Sequence, residues 1–550
     1  MKKNSFIEGT IIATTCIVIV KILGMLYVIP FYAIVGSQGA ALYAYAYNIY
    51  GLFLEIATAG IPNAVSKIIN EYNTLGRQEA KIRAFQIGKK LLGFIAVFAF
   101  IILFVFAPQI AEIIIGDMTG GNTVEDVTFV IRCVSFALLV FPFLSVSRGF
   151  FQGHNIISVS SVSQVIEQIA RVAIIIFGSY IAIKWLHLDI TTGVGVAVFG
   201  AFIGGLFALL YVYDKLRKNK KELCLDQKFE EKDQVTNREL IKKIIKYAIP
   251  IVIVSIAFTI YNNVDMILIL RTMDYLGMDA SEVEFIATGI STWAPKISIV
   301  VTSVALGISA SLIPNMVEAF TLKKYDDVNH KFNKSMQIIL FISLPMCIGI
   351  SLLSSAIWTV FYDYSAIGTN ILTVAIFAPL FSNLYTVANN TLQSMNKFKM
   401  VYISSVTGIV LNALLDVPFM LLFDFVGIPA YWGATVATII GFSATVIIAM
   451  VYLKKTYHFD YQDTKRMLGK IIVPLLTMIV VVVLMKLFIP IDYDSRFACI
   501  VYIAVIAIVG AFTYFIISHK MGLIDEILGK NYLEKLKNKL SRKNIRINLR

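Results

Sequence analysis

Cysteine is scarce in this chain. Its 550 residues include five, Cys16, Cys133, Cys224, Cys347 and Cys499, with no C-x-x-C pair and no histidine cluster near any of them. That spacing excludes a disulfide framework and the common zinc sites, and leaves the thiols as small hydrophobes within apolar runs. Charge is thin too. Only 15% of residues are charged against 58% hydrophobic, far less polar surface than a soluble domain needs. No G-x-x-x-x-G-K-[ST] loop occurs, so direct use of a nucleotide triphosphate through a P-loop is excluded.

What fills the chain is a succession of apolar runs of about 20 residues or more, the length that matches a hydrocarbon slab roughly 30 Å thick. They predict an all-α polytopic membrane protein of about 14 spans, because a helix satisfies its own backbone hydrogen bonds in lipid. The predicted helices lie at about 6–34, 41–70, 84–115, 127–151, 159–184 and 193–214, then 245–271, 286–316, 334–361, 367–393, 400–423 and 431–454. Two more follow at about 468–489 and 497–518. The opening Met1-Lys2-Lys3-Asn4 precedes a long apolar segment without a cleavage-site pattern and is expected to be a retained first helix.

Loop charge sets the orientation. One series of loops carries Asp117, Glu125, Asp126, Asp189, Asp274, Asp279, Glu282, Glu284, Asp363, Asp424, Asp492 and Asp494, with Arg496 almost its sole base; the alternate series carries Arg77, Lys81, Arg83, Lys323, Lys324, Lys397, Lys399, Lys454, Lys455, Lys465 and Arg466. Basic loops stay cytoplasmic, so both termini are expected inside a plasma membrane crossed many times. The net charge of +13 is then a topology signal, and nucleic acid is not needed to explain it. The organisation expected is an N-lobe at 1–214, a mixed-charge cytoplasmic connector at 215–243, a C-lobe at 244–455, a helix pair at 467–518 and a basic tail at 519–550. The tail either touches anionic lipid heads or is simply solvated.

An internal echo supports two lobes of six helices each. Gly60-Ile61, Glu71 and Arg77 recur as Gly307-Ile308, Glu318 and Lys324 at one constant offset, and Gln152-Gly153-His154-Asn155 has a counterpart in Gln393-Ser394-Met395-Asn396. Parallel repeats of this kind place a substrate site between lobes. Interior Gly60, Pro30, Pro62, Pro142, Pro250, Pro295, Pro314, Pro345 and Pro379 are expected to interrupt spans. Tyr43-Ala44-Tyr45-Ala46-Tyr47-Asn48 is expected to mark an interfacial belt.

Ionisable residues deep in spans cost at least about 2.5 kcal/mol each and need a polar cavity or a partner. Lys21, Glu55, Arg148, Glu167, Arg171 and Lys296 are such residues and are the candidate substrate-binding set. Glu167 and Arg171 stand four apart and can pair on one helix face, as a structural pin or as part of a site. Lys21 and Lys296 have no acid at i±3 or i±4, which suits a hydrated cavity for an anionic head group such as a diphosphate. Lys67 and Arg132, near helix ends, are expected to snorkel. Asn412 and Asp416 sit one turn apart, and Asp265 and Thr435 could join them as hard oxygen ligands for a small cation, or all four could form an interhelical hydrogen-bond cluster.

The strings Lys21-Ile22-Leu23-Gly24-Met25-Leu26-Tyr27, Gly60-Ile61-Pro62-Asn63, Arg148-Gly149-Phe150-Phe151-Gln152-Gly153 and Ser163-Gln164-Val165-Ile166-Glu167-Gln168-Ile169-Ala170-Arg171 resemble the MurJ-type lipid II flippases of Gram-positive bacteria, in the multidrug/oligosaccharidyl-lipid/polysaccharide exporter superfamily. The resemblance implies a central cationic cavity, a C-terminal helix pair forming a lipid-tail groove, and Lys21 at the family's first-helix base. It also implies a sodium site at Asp265, Asn412, Asp416 and Thr435, with no other cofactor. Tyr27 and Glu55 stand where relatives carry arginines, and Lys296 is the candidate second-half cation. The expected function is alternating-access flipping of lipid II to the outer leaflet, driven by membrane potential or a cation gradient. The expected partners are lipid II or a related undecaprenyl-diphosphate glycolipid, membrane lipids, and the cell-wall synthesis machinery. The alternatives are a flippase for another undecaprenyl-linked polysaccharide and a multidrug antiporter of the same superfamily. An enzyme such as a membrane glycosyltransferase is disfavoured, because the outer loops, about five to fifteen residues long, have the length of plain connections.

Overall fold

A computed structural model describes residues 6–58, 60–116, 120–154, 156–223, 225 and 235–528. Met1–Asn4, Asp117, Asn155, Cys224, the middle of the connector and the tail from 529 lie outside the described residues, as do the side chains of Pro250 and Pro314.

The long apolar runs fold as helices. Ahead of the connector lie α1 (Phe6–Leu26), α2 (Val28–Thr58), α3 (Gly60–Thr74), α4 (Gln78–Val105), α5 (Ala107–Ile115), α6 (Val124–Ser135), α7 (Phe141–Gly153), α8 (Ile157–Ala173) and α9 (Ile190–Lys218). After it come α10 (Asn237–Tyr275), α11 (Ala280–Thr288), α12 (Ala294–Thr321), α13 (Tyr325–Leu352), α14 (Ser354–Tyr362), α15 (Ala366–Ala375) and α16 (Ala378–Ser394). The series ends with α17 (Phe398–Phe425), α18 (Trp432–Tyr457), α19 (Gln462–Phe488), α20 (Arg496–Lys520) and α21 (Leu523–Leu528). No strand occurs among the described residues.

Among the described residues thirteen helical stretches are long and apolar enough to cross a bilayer, and the first, Thr15–Thr74, runs 60 residues, more than twice one crossing. Gly36 divides it, with φ 67° and ψ −171°, a backbone geometry that suits a residue without a Cβ. Counted as two, that stretch brings the total to the fourteen read from the sequence. Pro62, Pro142, Pro295 and Pro379 each fall in the first turn of an α-helical segment, where proline is best tolerated, and each marks a change of segment inside a span that continues. Pro345 stays inside α13.

The sequence echo is also a local structural echo. Arg77 precedes α4 with φ −81° and ψ 74°, and Lys324 precedes α13 with φ −85° and ψ 73°. Their backbone N–H groups reach back to Tyr72 and Ala319 through the same turn, whose left-handed residue is Gly76 in one case and Lys323 in the other.

By packing, the described residues within 1–297 and 409–437 form one compact unit, and those within 298–408 and 438–528 a second. In the first, α8 lies against α1 and α9, α3 against α4, α7 and α10, and α2 against α6, α9, α10 and α11. In the second, α13 packs on α16 and α19, and α14 on α15 and α20. There an apolar cavity of about 390 Å³ is lined by Phe341, Pro345, Met346, Met478, Ile506 and Tyr514, among others.

The tyrosine run of α2 corrects the interfacial-belt expectation. Tyr43 is 1% exposed and Tyr45 is fully buried, while a belt would leave them at the lipid surface. Tyr43 instead stacks on Tyr47 and on Trp293 within the first unit, because the small Ala44 and Ala46 let neighbouring helices close over the rings. Arg132 does lie exposed near the end of α6, over the Phe104 ring; Lys67 is exposed over the Tyr247 ring but sits in the middle of α3. Of the five cysteines, Cys16, Cys133, Cys347 and Cys499 are free thiols.

Candidate functional site

Glu167 is the centre of the site. It lies on α8, whose contact with α9 is close because Gly204 has no side chain: a Cβ there would stand 2.6 Å from the Glu167 carbonyl oxygen and 3.0 Å from the Arg171 Cβ. One turn on, Arg171 donates to Glu167 Oε1 at 2.5 Å, the pair expected from i, i+4 spacing. Arg148 reaches across from α7 and donates to Glu167 Oε2 at 2.9 Å and to Ser163 Oγ at 2.7 Å. A single largely buried carboxylate therefore holds two guanidiniums, leaving an excess of positive charge.

That excess extends further. Arg171 donates to the Tyr47 hydroxyl at 3.4 Å and lies over the Phe141 ring, 5.4 Å from its centroid. Lys296, near the start of α12, sits over the rings of Tyr47 and Tyr27 at 5.2 and 5.5 Å. Just ahead of it, Gly289–Trp293 forms a π-turn, whose extra residue rotates the following helix by about 100°. Asn48 pins that turn, its amide donating to Ser291 and Thr292 hydroxyls at 3.2 and 2.9 Å, and Asn263 donates to the Asn48 carbonyl at 3.2 Å.

Lys21 on α1 and Glu55 on α2 are half-buried, and neither has an ion-pair partner among the described residues. The fold thus joins Arg148, Glu167, Arg171 and Lys296 in one chain of contacts, and places Lys21 and Glu55 in the same compact unit without joining them to it. Sequence reasoning named Tyr27 only as a replacement for a relative's arginine, and missed Tyr47 and Asn48 as site residues by assigning them to the interfacial belt. The available signal was the dense Tyr repeat ending in an amide.

A second cluster forms in the same unit. Asn412 donates one amide to two carboxylates, Asp265 Oδ1 at 2.9 Å and Asp416 Oδ1 at 3.1 Å. Asp416 is fully buried, its Oδ2 has no hydrogen-bond donor, and no base pairs with it among the described residues. Thr435, buried on α18, makes no hydrogen bond to the other three. Among the described residues no group of three or more His, Cys, Asp or Glu is arranged to hold a metal ion. As they stand, two carboxylates gathered around the Asn412 N–H₂ make an interhelical hydrogen-bond cluster, one of the two arrangements expected from the sequence.

Polar fastenings close this unit at two levels. Asn122 gives its backbone N–H and its amide to Glu284 at 2.9 and 2.8 Å, and Arg271 donates to the carbonyls of Glu112 and Ile113 that end α5. On the basic side Lys243 pairs with Glu71 at 2.6 Å, and Arg83 donates to the Val235 carbonyl at 2.8 Å.

Residues 6–320 match the family described as polysaccharide biosynthesis protein, and residues 250–418 match MatE. The chain is 33% identical over 537 residues to the lipid II flippase MurJ of Bacillus subtilis (strain 168), covering 96% of this chain and 97% of that one. It is 20% identical to stage V sporulation protein B of the same organism, over 62% of this chain and 63% of that one. Among solved structures, a lipid II flippase MurJ in an inward closed conformation superposes with a TM-score of 0.68 at 17% identity, over 94% of this chain and 99% of that one. An inward-facing multidrug resistance MATE family transporter gives 0.61 at 14% identity, over 81% and 98%.

Proposed function

This chain belongs to the family of MurJ-type lipid II flippases, and from that membership we propose that it carries lipid II from the inner to the outer leaflet of the plasma membrane by alternating access. As a member it is a multi-pass membrane transporter. The observation that carries the substrate reading is the buried cationic cluster, in which Arg148 and Arg171 share one carboxylate and Lys296 lies against Tyr27 and Tyr47 with no carboxylate beside it among the described residues. A diphosphate supplies the negative charge that cluster lacks, through charge-assisted hydrogen bonds. Lys21, with no partner among the described residues, is the further cation of this reading.

The apolar cavity beside α19 and α20 is the proposed resting place of the polyprenyl tail, and its lining offers hydrocarbon almost nothing polar. Asp265 and Asp416 would hold a sodium ion, with Asn412 contributing its amide oxygen and Thr435 its hydroxyl only after a rearrangement; such an ion would offset one of the two neighbouring negative charges. Either that gradient or the membrane potential drives the cycle, since each charge moved is worth about 2.3 kcal/mol per 100 mV. Both termini are placed in the cytoplasm, on the loop charges. The match of residues 250–418 to MatE keeps a second reading open, a multidrug antiporter that exploits the same cation site.

The test is lipid II accessibility in cells depleted of this protein. Cytoplasmic-side accumulation and failure of Lys21→Ala to complement, with normal membrane insertion, are the expected results. Viable cells with normal lipid II and a lost surface polysaccharide would overturn the assignment.

A further inference from the structure

We propose that Tyr47 is a positioning residue that sets the distance and direction of two of the site's cations, Arg171 and Lys296, toward the anionic head group; this rests on the cationic-cluster reading above. One side chain touches both. Its hydroxyl accepts from the Arg171 guanidinium at 3.4 Å, while its ring face lies 5.2 Å from the Lys296 ammonium. These cations come from helices far apart in the chain, α8 and α12, so no helical periodicity fixes their spacing.

Tyr47 is itself held. It stacks on Tyr43 at 5.4 Å with 14° between the planes, and Tyr43 in turn stacks on Trp293 at 6.2 Å. The Tyr43 hydroxyl meets that of Tyr27 at 3.3 Å, and Tyr27 forms the second wall beneath Lys296. On the other side Tyr50 stands between Tyr47 and the Phe141 ring that underlies Arg171. The result is an aromatic spine with both cations resting on it.

The choice of aromatic partners has a chemical consequence. A ring quadrupole attracts a cation without neutralising it, so Lys296 is oriented and still carries full charge for a phosphate oxygen. A carboxylate in that place would compete with the substrate. Arg171, tied to Glu167, also keeps N–H groups beyond that pair, one of which the Tyr47 hydroxyl aims.

The experiment is glycan-labelled lipid II translocation by the full chain in proteoliposomes, with rate measured against lipid II density, together with thermal stability of each variant. Tyr47→Phe keeps the ring and is expected to raise the half-saturating density about threefold at an unchanged maximal rate. Tyr47→Leu removes ring and hydroxyl and is expected to raise it about tenfold. In a Lys296→Met background, Tyr47→Leu should cost no more than Tyr47→Phe, because the ring then has no ammonium to hold. If Lys296→Met alone leaves transport unchanged, the cationic reading of Lys296 fails, and the proposal with it. If Lys296→Met impairs transport while both Tyr47 variants match the parent, Tyr47 is not a positioning residue. A Tyr47→Leu protein that loses maximal rate and melting temperature together, at an unchanged half-saturating density, would overturn the proposal in favour of a packing role.

Discussion

Glu167→Gln separates the stability of the site from its charge. The carboxylate receives Arg171 at 2.5 Å and Arg148 at 2.9 Å, with side-chain exposures of 11% for the acid and 13% for each arginine. Glutamine has nearly the same shape and keeps one acceptor oxygen, but turns an N–H₂ toward one of the guanidiniums and removes the negative charge. Breaking a buried ion pair from one side costs about 3–5 kcal/mol. The retained acceptor and the residual exposure put the expected loss near the low end, about 3 kcal/mol. The melting temperature in detergent should fall by several degrees. Binding should move the other way, because the cluster gains a net positive charge, so the half-saturating density of lipid II should stay level or fall. Adding Arg171→Gln to Glu167→Gln should recover part of the stability, since neighbours in one network are not additive. A Glu167→Gln protein with parental melting behaviour would refute the claim that this carboxylate holds two buried cations.

Other outcomes follow from single contacts. Asp416→Asn should weaken any sodium dependence of transport, and an unchanged sodium response would discard that site. Gly204→Ala places a methyl group against the Glu167 carbonyl and should destabilise the protein by about 1–3 kcal/mol while loosening the Arg148–Glu167 bond; unaltered melting and transport would count against the close α8–α9 contact. Asp189 caps α9, and hydrogen bonds from the Thr192 hydroxyl and backbone N–H hold its carboxyl below the usual aspartate range. Asp189→Ala should therefore cost about 1 kcal/mol at neutral pH. Because the folded value is the lower one, that difference is fully present above about pH 4 and fades as the pH falls through the folded value; a difference that grows in acid would reverse the assignment.

The sequence alone determined the features that rest on local physics. Runs of apolar residues long enough for a bilayer gave the helices, because backbone groups in lipid have no other partner. The break between about 34 and 41 already separated the first two runs, with Gly36 as the residue at which the structure makes it, and the i, i+4 spacing of Glu167 and Arg171 already allowed their bond. The echo of Arg77 in Lys324 was readable as text and proved to be one turn geometry used twice. Only tertiary structure decided what met across helices. Arg148 found Glu167 and Asn412 found Asp265 from 19 and 147 residues away, distances over which periodicity carries no information. The tyrosines of α2 were misread for the same reason: an amphipathic ring suits a membrane interface and a buried polar site equally well, and the packing of its neighbours chooses between them. Lys296 stood out in the sequence as a charge without a nearby acid, and only the packed helices supplied its partners, two tyrosines that steady the cation and leave its charge unneutralised.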